Sequence, residues 1–498
     1  MHSTYFDRFR SQLVSPDPQR QRQAILLLLL IAGLAAGLTI GVLGPIVTLA
    51  LAIAGIGAIV VLRSPLWGLV GVILIATLLP FATMPFKIVF TPSFLDIAIF
   101  ATFGVWALAY ALARETRFQF SSLGGFVLLF LLLAAFSFVM GLEHARPTSN
   151  NLRQFMEMIL SIALFFVVIN VVRDEESLFL LARALILGGA GAAFFGILFY
   201  VIPRHATVWI LDHMARIGYP GGYGALRFVE DDPNGIMRAI GTSIDPNVFG
   251  GLLILVGVFT LPQVVSKRPL FPRGWVALFA LMDITALFLT ISRGSMLGFL
   301  IGLVAIGLMR YRKLLLWAFL GALLVGVLLM FIPFVQAYIQ HFIEGLQFQD
   351  RATQMRLGEY KDALTLISRY PIFGVGFTGT PEIDLYIGVS SLYLLMAEEM
   401  GLVGVAVFLL TMLVFVLQLI NGLRHAHQDA RLEAIMLGIL GAMAGLLAAG
   451  VLDHYLFNLN YPHMTALLWI MVGMGVSAAQ YAQHFMDRQS TPSREGMS

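Results

Sequence analysis

The chain has 498 residues, 59% of them hydrophobic and only 12% charged, with a formal net charge of +3. No soluble fold hides that much apolar surface, and no disordered chain carries it. The basic residues are scattered between apolar runs, which excludes a nucleic-acid-binding domain, and the lack of cysteine excludes disulfides, thiolate metal sites and cysteine nucleophiles.

What is left is an all-α, polytopic membrane bundle. A hydrocarbon core takes about 20 apolar residues per helix, and on that measure the sequence predicts roughly fourteen spans. After a segment at 1–23, an N-terminal group (24–202) holds spans at 24–43, 45–62, 66–84, 94–113, 123–142, 152–172 and 178–202. The first is too long for a signal peptide and lacks a small-x-small cleavage site. A long loop follows at 203–246. A central group (247–335) holds spans at 247–264, 275–291, 294–309 and 314–335, and a second long loop covers 336–390. The C-terminal group (391–483) holds spans at 391–421, 432–452 and 462–483, before a tail at 484–498.

Alternate connections are short and basic: Arg20 and Arg22, Arg63, Arg114 and Arg117, Arg173, Lys267 and Arg268, Arg310 and Arg312, Arg424 and Arg431, Arg488. The positive-inside rule then puts both termini in the cytoplasm and both long loops outside. Long loops that mix aromatic, charged and Gly/Pro residues are where function is expected. In the second, Arg351 to Tyr370 reads as an amphipathic interfacial helix with an apolar stripe of Leu357, Tyr360, Leu364 and Ile367, ended by Pro371 and a Gly374/Gly376 turn. An ordinary surface helix is the bland alternative.

Several residues stand out near the predicted outer face. Arg293, in Ser292-Arg293-Gly294, sits between two spans with almost no loop, so it either faces a polar cavity or snorkels. Arg356 has Tyr360 one turn on; it is placed for a lipid headgroup or for an exposed pair with Glu359. Arg238 precedes Asp245-Pro246-Asn247, a helix-start signature. Ser390-Ser391 opens a span, with Glu398-Glu399 two turns later; paired carboxylates in an apolar segment suit a general base or a buried structural role. Asp453-His454 begins the last outer connection. Tyr200, Trp209, Tyr219 and Tyr223 offer faces to sugar rings or anchor at the interface. No metal-spaced motif is present.

In order and spacing these pieces resemble the O-antigen ligase and O-antigen polymerase superfamily of polytopic glycosyltransferases. The resemblance runs from about Arg238 to Gly404. It rests on Gly241 to Asn247 with Phe249, on Ser292-Arg293-Gly294, on Arg356 to Leu364 with Pro371, Gly374, Val375 and Gly376, and on Ser391, Glu399, Gly401 and Gly404. It implies a bacterial inner-membrane enzyme, needing no metal or other cofactor, that takes a glycan from undecaprenyl pyrophosphate at the outer leaflet and inverts the anomeric centre. Its other partners are a glycan or lipid acceptor and membrane lipid, with no nucleic acid. Arg293 and Arg356 are then expected to act on the pyrophosphate and Glu399 or His454 as base, all four catalytic. Arg238, Arg351, Tyr360, Ser390 and Ser391 are expected to bind substrate.

One position departs. Where ligases of the family carry a histidine, this chain has Ser390, which leans the expectation toward a polymerase-like member, with a ligase as the alternative. Glu399, nine residues on, falls roughly opposite Ser390 on a continuous helix, so it is not expected to replace that histidine in place. A flippase of lipid-linked glycans is the alternative from another class. It would put ionisable residues at the midplane of several spans, where only Arg183 and Asp283 stand out.

Overall fold

The computed structural model describes scattered residues between 17 and 63, and then 64–87, 89–112, 118–328, 351–379 and 389–490. The chain divides into two units, Met1–Arg63 and Ser64–Ser498. In the first, the described residues from 19 to 63 are helical, and the expected spans at 24–43 and 45–62 lie largely outside the described residues.

The second unit begins with α1 (Pro65–Leu78), α2 (Phe94–Leu112), α3 (Ser122–Gly141), α4 (Ser149–Val171) and α5 (Glu175–Val201). Polar caps set their starts: Ser64, Ser121, Thr148 and Asp174 each accept a backbone N–H from the first turn. The span expected at 66–84 stops at Leu78 because Pro80 cannot continue it. The first long loop is more ordered than its composition implies. It holds α6 (Arg204–Met214) and a two-stranded antiparallel hairpin, β1 (Arg227–Phe228) with β2 (Met237–Arg238), in the register Arg227 opposite Arg238.

Next come α7 (Pro246–Val265), α8 (Arg273–Thr290), α9 (Arg293–Met309) and α10 (Arg312–Leu328). Then follow α11 (Arg351–Arg369), α12 (Leu392–His425), α13 (Ala430–Ala449) and α14 (Pro462–Ser490). Among the described residues nine helices are long and apolar enough to cross a membrane, namely α2 to α5, α7, α8 and α12 to α14, and α1 and α9 are shorter apolar helices. The fold is therefore helical and multi-pass as expected. The figure of about fourteen spans is not reached among these residues, and the end of the 314–335 span lies outside them.

Small residues set the tightest helix pairing. Gly298 and Gly302 of α9 face Gly445 and Gly441 of α13, and a Cβ on Gly298 would come within 2.7 Å of the Gly445 carbonyl. Two facing small-xxx-small runs bring backbones together in lipid, where dispersion rather than the hydrophobic effect drives packing. At the far end of this pair the Glu433 carboxylate receives Arg310 Nε at 3.0 Å and His427 Nδ1 at 2.7 Å. Helices α7 and α14 are the most enclosed of the nine, and α7 carries a π-turn at Ile254–Val258. Asp283 of α8 is fully buried beside Gly257 in that turn.

Helix α12 is broken. Gly401 has φ 67° and ψ −177°, a conformation essentially confined to glycine. The Pro371–Gly376 turn enters the gap. Val375 N donates to Glu398 O (2.8 Å) and Gly376 N to Glu399 O (3.0 Å), while Leu402 N donates to Pro371 O (2.8 Å). Helix breaks at membrane depth persist only where such partners satisfy the freed backbone.

A buried ionic cluster, not expected from the sequence, fixes α4 to the start of α2. Arg153 Nη1 lies 2.9 Å from Asp96 Oδ2 and 2.8 Å from Glu157 Oε2. Ser93 Oγ donates to Glu157 Oε1 at 3.1 Å. Replacing Arg153 with Leu strands two buried carboxylates, a class of change costing about 3–5 kcal/mol. Arg153→Leu should melt markedly earlier in detergent than the wild type; an unchanged melting temperature would show that the cluster is not structural.

Candidate active site

Three arginines from three chain segments meet at one end of this unit: Arg238 at the end of β2, Arg293 at the start of α9 and Arg356 in the second turn of α11. Arg238 is their centre. Its Nε donates to Thr290 O at 2.8 Å and its Nη2 to Asn247 Oδ1 at 2.7 Å. Burial lowers its pKa from the ordinary arginine value; Asp245 and Asp453 act to raise it, and Arg356 and Arg293 to lower it. Arginine keeps its proton at any physiological pH. The chemical content is proximity: two further guanidinium groups and two carboxylates act on one buried cation.

Local sequence explains each placement. Ala239 N donates to Leu289 O at 2.7 Å, pinning β2 to the end of α8. Asp245 caps α7, its Oδ1 accepting from Asn247 N and Val248 N, with Pro246 at the first turn. Between α8 and α9 there is no loop, only Ile291 at φ 52° and Ser292. Left-handed backbone is unusual for a β-branched residue, and here it turns the chain sharply enough to put Arg293 at the helix start. Gly294 lies against Leu452, so the start of α9 abuts the 450–454 loop.

Helix α11 carries Arg356 and is tied down by three neighbours on its inner face. Ala363 packs with Val389 and Leu395. Tyr360 Oη donates to Ser390 O and to Val451 O, each at 3.2 Å. Glu359 Oε2 accepts Ser390 N at 3.0 Å. The stripe expected from the sequence is corrected in part. Leu357 and Leu364 are 51% and 58% exposed, whereas Ala363, Leu366 and Ile367 are buried. The inner face is turned by roughly one residue because α12 presents a docking surface that helical periodicity alone does not reveal. Glu359 is likewise not the exposed partner of Arg356; it secures residue 390.

Two cavities share Tyr461 as a wall. Arg238, Arg293 and Arg356 line neither, but Asp245 lines one and His454, next to Asp453, lines the other, and both aspartates act on Arg238. One, of about 540 Å³, is lined by Asn151, Gln154, Glu359, Ser390, Glu399, His454, Asn458 and Asn460 among others. The other, of about 280 Å³, is lined by Phe81, Arg227, Ser243 and Asp245 among others. Ser390 and Glu399 therefore face one space, against the expectation that they lie on opposite sides. Ser390 stands before the helix, and Ser391 is extended (φ −157°, ψ 126°), so helical spacing does not apply between them.

His454 shares that cavity with Ser390. Its Nδ1 is 3.6 Å from Asp453 Oδ1, and its backbone N–H donates to the same oxygen at 2.9 Å. Burial raises the Asp453 pKa from its ordinary value; His454 and Arg356 offset part of this, while Asp245 adds to it. Asp453 is more than the companion of His454 that its place in the sequence suggests, and belongs to the arginine cluster. Its adjacency to Arg238 and Arg356 comes from segments over 90 residues apart in sequence, which no local motif encodes.

The other candidates sit as follows. Ser391 is buried, its Oγ 3.5 Å from Gly450 O. Glu398 is buried beside Glu399. The side chain of Arg351 lies outside the described residues. Tyr219 is buried in a separate cluster with Phe199 and Leu211, while Trp209 and Tyr223 are exposed. None of Tyr200, Trp209, Tyr219 and Tyr223 is among the residues lining the two cavities.

No curated protein matches the chain. A family model, described as O-antigen ligase, matches residues 277–409. That range holds Arg293, Arg356, Glu359, Ser390, Glu399 and Gly401; Arg238, Asp245, Asp453 and His454 lie outside it. Over that stretch, about a quarter of the chain, the protein is similar to the O-antigen ligase family.

Proposed function

We propose that this protein is an inner-membrane glycosyltransferase that takes a glycan from undecaprenyl pyrophosphate at the extracytoplasmic face and extends or transfers it. The observation that carries this reading is the mutual proximity of Arg238, Arg293, Arg356 and Asp453, the last adjacent to His454, which lines a cavity with Glu399. Lys267, Arg268, Arg273, Arg310, Arg312, Arg424 and Arg431 sit at the helix ends remote from that site. By the positive-inside rule they face the cytoplasm with both termini, leaving the site outside.

In the proposed reaction, Arg293 and Arg356 bind the diphosphate with paired, charge-assisted hydrogen bonds, and Arg238 is a fixed positive charge behind them. An acceptor hydroxyl attacks the anomeric carbon from the face opposite the diphosphate. The new C–O bond forms as the old one breaks, and the diphosphate leaves with its electron pair. His454 takes the hydroxyl proton, and Asp453 stabilises the resulting imidazolium. Glu399, in the same cavity, is the alternative base.

This role for Asp453 sets the pH dependence. Its pKa is raised, so its anion is lost on acidification at a higher pH than for an ordinary aspartate, near 4. The transfer rate should fall on an acid limb above that value, and Asp453→Asn should remove most activity. A rate unchanged down to about pH 4 would contradict the role.

Ser390 in place of the family histidine favours a polymerase-like product. A ligase is the second reading, favoured by the imidazole that His454 brings to the same cavity. Purified protein given a lipid-pyrophosphate glycan alone separates the two. A ladder of lengthened chains marks a polymerase; no product until a separate acceptor is added marks a ligase. A donor left intact even with a separate acceptor present would overturn the glycosyltransferase reading.

A further inference from the structure

The 540 Å³ cavity has an uncommon wall. Four primary amides line it, Asn151 and Gln154 from the first turns of α4 and Asn458 and Asn460 from the loop before α14. The two groups are joined, since Gln154 Nε2 donates to Asn460 Oδ1 at 3.1 Å and Asn460 N donates to Asn458 Oδ1 at 2.8 Å. Tyr461 stands beside them as an aromatic wall, its ring centroid 6.2 Å from that of His454. Amides offer both donors and acceptors without charge. Alongside an aromatic face they match the alternating hydroxyls and C–H patches of a sugar ring.

Which sugar enters follows from the chemistry of the neighbours. The diphosphate end of a donor belongs with the arginines. A base must touch the attacking hydroxyl, and both candidate bases, His454 and Glu399, line this cavity. Attack from the face opposite the leaving group puts the nucleophile away from the diphosphate. We propose that the amide-lined cavity is the acceptor-glycan subsite, in which Asn151, Gln154, Asn458 and Asn460 bind sugar hydroxyls and present one of them to His454. This inference rests on the glycosyltransferase reading and assigns one side of its site.

The test uses the full-length protein in detergent with the lipid-linked glycan as donor at fixed concentration. The probe acceptor is the free repeat glycan, released from its carrier by mild acid. Gln154→Ala and Asn458→Ala should each raise the half-saturating acceptor concentration roughly five- to tenfold, the loss of one or two hydrogen bonds. Donor half-saturation should stay as in the wild type. Because both positions are part-exposed, a melting curve matching the wild type separates this effect from misfolding. As a second readout, saturation-transfer NMR of the free glycan without donor should weaken in both variants. If both variants keep wild-type acceptor saturation while the wild type transfers normally, the subsite is wrong and the glycosyltransferase reading stands. If the wild type consumes no donor with any acceptor, that reading fails and takes this one with it.

Discussion

Arg356→Ala and Arg293→Ala should each lower the transfer rate by about 10²–10³-fold, the usual cost of removing one preorganised donor from a developing oxyanion. In the proposed reaction the diphosphate gains charge as its bond to the sugar breaks, and the arginines would meet that charge without reorganising. Arg238 already spends Nε on Thr290 O and Nη2 on Asn247 Oδ1, so its loss should also loosen the hairpin that carries it. For this reason Arg238 is not the residue on which to test the chemistry. Lysine at Arg356 should restore charge but not the paired geometry, giving only partial rescue. The rate of product formation at saturating donor and acceptor is the measurement. Wild-type rates in both alanine variants would remove the arginines from the chemistry.

Gly401→Ala should be the most damaging small substitution in the matched segment. A Cβ there would collide with the carbonyl of Ile372, and the φ of 67° is itself strained for alanine, by about 1–3 kcal/mol. If the turn withdraws, the carbonyls of Glu398 and Glu399 lose Val375 N and Gly376 N, and each orphaned buried group costs about 1–3 kcal/mol more. The same turn precedes the cavity segment at Ser390 and follows α11, so both activity and thermal stability should fall. Gly358, on the exposed side of α11 with open space around its Cα, is the contrasting case. Gly358→Ala should be neutral or stabilising by up to about 1 kcal/mol. Equal melting temperatures for the two variants would refute the account of the helix break.

Much of the helical order was legible in the sequence because hydrocarbon length and polar caps leave little freedom. The spans expected at 94–113, 123–142 and 178–202 lie close to α2, α3 and α5. Proline at 80 was a readable stop that the apolar run around it obscured. The arginines were legible individually, since a charge near hydrocarbon needs a reason. Their convergence was not, because it depends on the α9–α13 glycine contact, on β2 being held by Leu289 O, and on α11 docking against α12. The break at Gly401 was the least legible. An unbroken 34-residue helix satisfies the same apolar pattern, and only the partner turn makes the gap affordable. The Arg153–Glu157 pair had a readable i,i+4 spacing, but nothing local announced Asp96 as the third member.

The most direct test of the arginine cluster is equilibrium binding of undecaprenyl pyrophosphate, without glycan, to the purified protein in detergent. The wild type should bind it more tightly than undecaprenyl monophosphate, and Arg293→Ala and Arg356→Ala should each weaken the diphosphate by about 10- to 100-fold, the worth of charge-assisted hydrogen bonds. Equal affinity of the wild type and both variants for the diphosphate would mean that these guanidinium groups do not hold the leaving group.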